Sequence, residues 1–174
     1  MGGKIIHKKN FLCQEYFRKL QSVIMSQKIN WFLREMDTLP TTNNLNGYFT
    51  HNFYNRWEAG GESFQLILPL LNEIKCANPI HMRANLTLRD KDTISSGFHV
   101  DNNLKYAKTA VLFINTNNGK LVIQNGDKEH AFESIENDIV IFNSFLKHKT
   151  IYHTDTARRY IINMNYFEEE NADL

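Results

Sequence analysis

The sequence has little cysteine, little proline and no excess of charge of either sign. Its 174 residues include two cysteines and three prolines, and 20 basic side chains against 19 acidic ones give a formal net charge of +1. Two cysteines and a charged start that has no secretory leader favour free thiols in a reducing compartment over a disulfide framework. A nearly neutral chain has no field of one sign to attract nucleic acid or an anionic membrane. We therefore expect a cytoplasmic protein without a nucleic-acid partner.

Long apolar runs are also missing, and none approaches the roughly 20 residues that a membrane helix needs. Hydrophobic residues still make up 42% of the chain, which is enough for an ordinary core. We find no repeat, low-complexity tract or linker that would divide the chain. The sequence therefore predicts one domain over residues 1–174, with no membrane partner.

The first half of the chain predicts two helices. Asn10 is placed to cap a helix over residues 11–27, in which an apolar residue recurs every four positions. These apolar residues are Leu12, Tyr16, Leu20 and Ile24. Residues 62–76 predict a second helix, which Pro69 should kink or divide because proline lacks an amide hydrogen.

The remaining segments favour β-structure. The aromatic-rich segments 30–36 and 47–55 predict short strands around a loop at 38–46, and residues 79–90 alternate as a strand does. From Gly97 onward, short apolar runs are separated by turn residues in VLFIN, LVIQ, DIVIF and YIINMNYF. We expect a mainly β protein with flanking helices (α+β). The expected architecture is a double-stranded β-helix barrel of the jelly-roll or cupin type, with N-terminal helices packed on one sheet. Helices and first strands would occupy 1–96, the barrel core 97–167 and an acidic tail 168–174.

The segment GFHVDNN contains a pattern suited to a metal. His99 and Asp101 are two residues apart, so on an extended strand both side chains leave the same face. Two imidazoles and one carboxylate form the facial triad of non-haem iron(II), which leaves other coordination positions open. The second imidazole would come from His148 or His153. We favour His148, which follows an apolar strand and a short turn, because His153 lies beside the turn HTDTA and should be solvated.

An arginine pair follows these histidines. An arginine that points into a barrel offers a planar, two-pronged donor for a carboxylate and would otherwise be a costly unpaired charge. The far carboxylate of 2-oxoglutarate would suit it. Either Arg158 or Arg159 could face inward, since a shift of one residue in register exchanges them.

In this order and spacing, FHVD, INTNNGKLVI, ENDIVIFNSFLKHKT and RRYIINMNYF resemble the small 2-oxoglutarate/Fe(II) oxygenases related to prolyl 4-hydroxylases, including many encoded by bacteriophages. The likeness extends upstream to NWF, YFTHNFYN and MRANLTLR. The resemblance implies that His99, Asp101 and His148 are the iron ligands and catalytic residues, within a metal-binding core at 97–167. It also implies that Arg159 binds the distal carboxylate of 2-oxoglutarate, because the family places this arginine directly before the aromatic and β-branched run.

The resemblance further implies Fe(2+), 2-oxoglutarate and O2, with ascorbate as a supporting reductant. The reaction would hydroxylate a peptidyl or free amino acid, so peptides, proteins and amino acids are the expected substrates. Prolyl hydroxylases often carry lysine where Arg159 stands, which weakens the label "prolyl". A viral origin would place the protein in a host cytoplasm.

Other polar residues are candidates for the same site. We expect Asn85, Thr150 and Tyr106 near the cosubstrate, and we place Arg83, Asn163 and Asn165 near the substrate. The segment NNLKYAK after Asp101 could be a mobile lid or an ordinary loop. Trp31 and Trp57 are interpreted as packing groups.

Two other functions fit the same barrel. A cupin-like metalloenzyme that needs no cosubstrate would leave Arg159 solvated. A non-catalytic jelly-roll binding module would use His99 and Asp101 only as structural groups.

Overall fold

A computed structural model of the protein describes residues 3–35, 47–89 and 91–169. Within these ranges the helices are α1 (Gln14–Ile24) and α2 (Glu62–Glu73). The strands, in chain order, are β1 (Ile5–Lys8), β2 (Phe32–Glu35), β3 (Gly47–Asn55), β4 (Glu58–Ala59), β5 (Cys76–Leu88), β6 (Lys108–Phe113), β7 (Asn117–Asn125), β8 (Lys128–Ser134), β9 (Ile139–Asn143), β10 (His148–Ile151) and β11 (Arg158–Glu168).

The larger sheet has the order β1-β9-β6-β11-β5-β3-β2, and β4 pairs with β3. Every pairing in it is antiparallel. The long strand β11 lies in the middle, hydrogen-bonded to β5 on one side and to β6 on the other. It therefore places its side chains at the centre of the molecule.

The smaller sheet has the order β10-β7-β8. Residues 94–99 extend it beyond β10, because Ser95 bridges Ile151 and His99 bridges His148. The amide of His99 donates to the carbonyl of His148 over 3.0 Å, and the amide of His148 donates back over 2.9 Å. This reciprocal pair fixes the backbone of a segment that is otherwise irregular.

Alternation along β5 and β11 separates the two faces of the larger sheet. Met82, Ala84 and Leu86 of β5 pack with Phe17 and Leu20 of α1 and with residues of α2 in the main apolar core. The same core takes Tyr160, Ile162, Met164 and Tyr166 from β11. The opposite face turns His81, Arg83, Asn85 and Thr87 towards the smaller sheet. Helices thus cover one face, and the other is left for polar side chains.

A second apolar cluster joins the two sheets. It contains Val111, Phe113, Leu121, Ile123, Val140, Phe142 and Leu146. Two antiparallel sheets packed face to face, with helices on the outside of one, make a jelly roll. The expected fold class is confirmed.

Several local expectations are wrong. Helix α1 begins at Gln14 rather than near residue 11, and Asn10 takes a left-handed backbone (φ 47°) instead of capping it. The amide of Asn10 instead donates to the carboxylate of Asp138, the residue before β9, over 3.2 Å. Of the two outcomes expected at Pro69, division of the helix is wrong, because α2 runs through it from Glu62 to Glu73, and a kink stays a prediction. Glu168, expected in the tail, is the last residue of β11.

The two tryptophans differ in their surroundings. Trp31 packs 5.9 Å from the ring of Tyr160, as expected of a packing group. Trp57 is 81% exposed, so the expectation that it packs is wrong. It sits in a tight turn after β3 with φ 79°, which directs it away from the core. The loop predicted at 38–46 and most of the acidic tail lie outside the described residues.

Neither described helix has the length and apolar composition needed to cross a membrane.

Candidate metal centre and its two pockets

Three potential ligand atoms converge where residues 94–101 meet β10. His148 is the first residue of β10, His99 lies opposite it, and Asp101 follows two residues later. Asp101 Oδ1 is 3.6 Å from His148 Nε2 and 3.8 Å from His99 Nε2. One ligand atom from each residue lies within 4.8 Å of the others. Paired backbone, rather than a continuous strand through 99–101, brings these side chains together.

Main-chain carbonyls orient both imidazoles. His99 Nδ1 donates to the carbonyl of Gly97 over 3.3 Å, and His148 Nδ1 donates to the carbonyl of Leu146 over 3.2 Å. A carbonyl oxygen can only accept, so Nδ1 of each ring carries a hydrogen, and a neutral ring in this tautomer has its lone pair on Nε2. The Nε2 atom of each ring faces the Asp101 carboxylate.

The far oxygen of Asp101 is already bonded. Its Oδ2 accepts from Asn163 Nδ2 over 3.1 Å and from Asn165 Nδ2 over 2.9 Å. Asn165 Nδ2 also contacts the hydroxyl of Thr109 at 3.0 Å. These amides hold the carboxylate in place and leave Oδ1 free beside the two imidazoles.

Local electrostatics favour the ligand forms of these groups. Burial acts to raise the pKa of Asp101, but the imidazole of His148, the amide of Asn165 and the charge of Arg83 outweigh it and hold that pKa well below its usual range. Burial, followed by the neighbouring His148, lowers the pKa of His99. The carboxyl group is thus ionised at neutral pH, and the His99 ring favours its neutral form.

The donor set fits a divalent transition-metal ion. The separations of 3.6 and 3.8 Å are longer than hydrogen bonds, and all three atoms present lone pairs to the same point. A cation would satisfy these lone pairs together. Two imidazole nitrogens and one carboxylate oxygen match the facial set of non-haem iron(II).

Arg159, rather than Arg158, points into the barrel. Arg159 is 2% exposed, its Nε donates to Ser134 Oγ over 2.9 Å, and its Cζ lies 5.9 Å from the ring centre of Phe113. It forms no ion pair with any carboxylate in the described part of the chain. Burial lowers the pKa of Arg159 to about 10, which reflects a charge held without a partner. Arg158 is exposed.

A pocket connects Arg159 with the two histidine ligands, and we call it the Arg159 pocket. Its polar wall comes from the inward faces of β5, β10 and β11 and from residue 96, and Val111, Leu121 and Ile161 form an apolar side. The polar lining residues are Tyr48, Arg83, Asn85, Thr87, Ser96, His99, His148, Thr150, Tyr152, Arg159 and Asn163.

A second pocket, the Arg56 pocket, contains Asp101 and Asn165. Arginines and a histidine dominate its lining, which comprises Arg34, Glu35, Tyr48, Asn55, Arg56, Ile80, His81, Arg83, Asp101, Asn102, Leu104 and Asn165. Tyr48 and Arg83 line both pockets. The candidate ligands therefore lie between two spaces, with the histidines on the Arg159 side and Asp101 on the Arg56 side.

The structure brings most of the candidate residues to these pockets. Asn85 and Thr150 line the Arg159 pocket, and Arg83 lines both. Asn163 and Asn165, expected to contact substrate, donate hydrogen bonds to Asp101.

Two expectations about position are wrong. Tyr106 is 71% exposed and does not line the Arg159 pocket. Its backbone is left-handed (φ 69°), and its ring lies in solvent with Lys105 Nζ 4.7 Å from the ring centre. His153 is fully buried rather than solvated. The next residue, Thr154, exchanges two hydrogen bonds with the side chain of Asn118, and these hold the turn against the protein. His153 does not join the ligand cluster of the described residues.

Sequence reasoning missed several pocket residues. Tyr48, Thr87, Ser96 and Tyr152 line the Arg159 pocket, and Ser134 bonds its arginine. Alternation along β5 could have added Thr87 to Arg83 and Asn85. No spacing connects Tyr48 or Ser134 with residue 159, since strand order alone brings them together.

Neither a protein-family model nor a curated protein sequence matches the chain. Solved structures do match in fold. A prolyl-4-hydroxylase from Pseudomonas putida is 16% identical over 97% of this chain and 94% of that one, with a TM-score of 0.59. An oxidoreductase of the 2OG-Fe(II) oxygenase family from Burkholderia pseudomallei is 10% identical over 95% and 85%, with a TM-score of 0.70.

A third match is a prolyl hydroxylase from Trichoplax adhaerens in complex with a peptide fragment of the hypoxia inducible factor oxygen degradation domain. It is 16% identical over 94% of this chain and 83% of that one, with a TM-score of 0.66. At these identities the likeness concerns the fold. The chain thus has the jelly-roll fold found in 2-oxoglutarate/Fe(II) oxygenases of known structure.

Proposed function

We propose that the protein is a non-haem Fe(II)- and 2-oxoglutarate-dependent dioxygenase that hydroxylates a peptidyl or free amino acid. The observation that carries this proposal is a buried arginine that has no carboxylate partner among the described residues, in the pocket that also contains the candidate ligands His99 and His148. A buried unpaired charge is costly, so it favours a ligand that supplies the missing carboxylate.

His99, Asp101 and His148 would hold the iron, and Arg159 would bind the distal carboxylate of 2-oxoglutarate. With O2, the bound iron and cosubstrate supply the oxidation of a substrate C–H bond, coupled to conversion of 2-oxoglutarate into succinate and carbon dioxide. Ascorbate would act as a supporting reductant.

The remaining pocket residues position and shield these groups. Ser134 accepts the Nε hydrogen bond of Arg159 and leaves the outer nitrogens of the guanidinium for a carboxylate. The hydroxyl groups of Thr150 and Tyr152 line the same pocket, and Val111, Leu121 and Ile161 exclude water from one side.

The proposed substrate class is a peptidyl or free amino acid. One structural neighbour was solved with a peptide fragment bound, which is consistent with a peptide substrate here. The single-domain organisation, the cytoplasmic location, the viral origin and a lid at residues 102–108 stay predictions from the sequence.

A cupin-like metalloenzyme without a cosubstrate would leave Arg159 solvated. Arg159 is buried beside the candidate ligands instead, which favours the cosubstrate-dependent reaction. A non-catalytic module would bind no stoichiometric iron, so metal titration separates it from both enzymes.

The test is anaerobic titration of the iron(II)-loaded protein with 2-oxoglutarate. Binding is measured by calorimetry and by the visible charge-transfer band of the chelate. We expect saturable binding that is weakened about 100-fold or more in Arg159→Gln, because a hydrogen-bonded buried charge pair is lost. Arg158→Gln, which removes the same charge from an exposed neighbour, should bind as the wild type does. Equal affinity in the two variants would contradict the role of Arg159.

A further inference from the structure

The Arg56 pocket carries more positive than negative charge. Arg34, Arg56 and Arg83 line it, and its carboxylates are Glu35 and Asp101. Asp101 is hydrogen-bonded by two amides and faces both imidazoles, and its carboxylate also interacts with the charge of Arg83 without forming an ion pair with it. None of the three arginines forms an ion pair with a residue in the described ranges.

Adjacent strands of the larger sheet hold these arginines. Arg34 of β2 lies opposite Tyr48 of β3, and Arg83 of β5 lies between Asn52 of β3 and Asn163 of β11. Arg56 follows β3 directly, and its amide donates to the carbonyl of Ile80 over 3.2 Å. Sheet pairing therefore fixes the backbones from which the three side chains reach the pocket.

His81 shows that the three charges act at one place. Burial, followed by the guanidinium groups of Arg83, Arg34 and Arg56, lowers the pKa of His81 to about 4, and Asp101 opposes this change. His81 is therefore neutral at pH 7 and can donate or accept a hydrogen bond without adding charge.

Arg83 carries an unsatisfied polar atom. Its Nε is buried and has no hydrogen-bond partner among the described residues. An unpaired buried donor is costly, and a guanidinium suits a carboxylate or a phosphate because its donors form a planar fork. Arg83 thus lacks a partner of the kind that an anion would provide.

The pocket also borders the candidate metal centre. Asp101 and Asn165 belong to its wall, whereas the histidine ligands line the Arg159 pocket. A cosubstrate in the Arg159 pocket would therefore leave the Arg56 pocket free for a second molecule beside the same ion.

We propose that the Arg56 pocket binds an anionic group, a carboxylate or a phosphate, of the molecule that this protein oxidises. The assignment of that molecule as the oxidised substrate rests on the proposed function. The anion site itself rests on three arginines that form no ion pair within the described part of the chain, so the two can fail separately.

The test uses two pairs of small probes, each of which differs in one charged group. One pair is acetyl-aspartate methylamide and acetyl-asparagine methylamide; the other is acetyl-phosphoserine methylamide and acetyl-serine methylamide. Each probe is titrated calorimetrically, without oxygen, into protein saturated with iron(II) and 2-oxoglutarate, so that Arg159 is already occupied. We expect at least one charged probe to bind about tenfold or more tightly than its neutral partner, and the pair with the larger ratio distinguishes carboxylate from phosphate.

Variants locate the site. Arg34→Gln/Arg56→Gln should remove the preference for the charged probe, because it removes two of the three arginines that line the pocket. Both side chains are exposed, so their loss leaves the core intact. Arg158→Gln/Arg89→Gln removes two exposed charges outside the pocket and should keep the preference. Equal binding within both pairs in the wild type, or a preference that survives in Arg34→Gln/Arg56→Gln, would overturn the proposal.

The same titrations separate this proposal from the function above. Binding of 2-oxoglutarate without any preference for charged probes would keep the oxygenase and reject the anion site. A preference that depends on Arg34 and Arg56, in protein that fails to bind 2-oxoglutarate, would keep the anion site and reject the oxygenase.

Discussion

At the scale of single residues, Asp101 divides its two oxygens between two tasks. Oδ2 is held by the amides of Asn163 and Asn165, and Oδ1 faces the two imidazoles. A carboxylate that turned freely could offer either oxygen, or both, to an ion. The two amides therefore select one mode of ligation.

We predict that Asn165→Leu, which keeps the branched shape of the side chain but removes the donor, weakens iron(II) binding about 10- to 100-fold. Anaerobic metal titration by calorimetry measures this change. Asn78→Leu, on an exposed position of β5, serves as the matched control and should leave the affinity unchanged. Wild-type affinity in Asn165→Leu would show that the amide does not orient the carboxylate.

Sequence could propose the ligands but not these supporting amides. The His-x-Asp pattern is local, so His99 and Asp101 can be read from their spacing. Asn163 and Asn165 are 62 and 64 positions from Asp101, and only the pairing of β11 with its neighbours brings them there. The same distance in sequence explains why their interpretation as substrate contacts missed the bonds to Asp101.

At the scale of elements, β7 approaches the side chain of Arg159 closely at Gly119. A Cβ atom added there would lie 3.1 Å from Arg159 Cδ, 3.1 Å from the carbonyl oxygen of Ile151 and 2.9 Å from Asn117 Oδ1. Two of these neighbours are rigid or hydrogen-bonded, so the arginine would have to move.

We therefore predict that Gly119→Ala weakens 2-oxoglutarate binding about tenfold, in line with the cost of overpacking a tight contact. Iron(II) affinity should stay the same, because the atoms nearest to the added Cβ belong to Asn117, Arg159 and Ile151 and not to a ligand residue. Sequential calorimetric titrations with metal and then with 2-oxoglutarate separate the two affinities. A joint loss of both would indicate general misfolding rather than displacement of Arg159.

Strands with regular alternation were predictable, and short or exposed strands were not. The strands β6, β7, β9 and β11 were recognised because each contains a run of apolar residues bounded by turn residues. Strand β8, KEHAFES, is exposed along most of its length, and β1 has only four residues, so neither shows a strong pattern. Both lie at sheet edges, where pairing with a neighbour determines their conformation.

At the scale of the whole molecule, the two faces of the larger sheet have different surroundings. Its outer face packs on α1 and α2 in the main apolar core. Its inner face carries both pockets and the two asparagines that bond Asp101. Changes on the helix side should therefore alter folding without altering the affinity of the folded protein.

We predict that Leu20→Ala, in the fully buried face of α1, lowers the free energy of unfolding by about 2–5 kcal/mol. The 2-oxoglutarate affinity of the folded protein should be unchanged. Denaturant unfolding and calorimetry measure the two quantities, and Leu68→Ala on the exposed side of α2 should cost much less. A large loss of affinity in Leu20→Ala would mean that the two faces are coupled.

The acceptors that orient the two imidazoles are main-chain carbonyls, each two residues before its histidine. Every amino acid carries such a carbonyl, so no substitution at position 97 or 146 deletes the hydrogen bond itself. Few positions therefore exist at which a substitution would remove a group that the candidate metal centre needs. They are the three ligands and the two asparagines that bond Asp101. Lineages of this protein could therefore diverge widely in sequence around an unchanged centre.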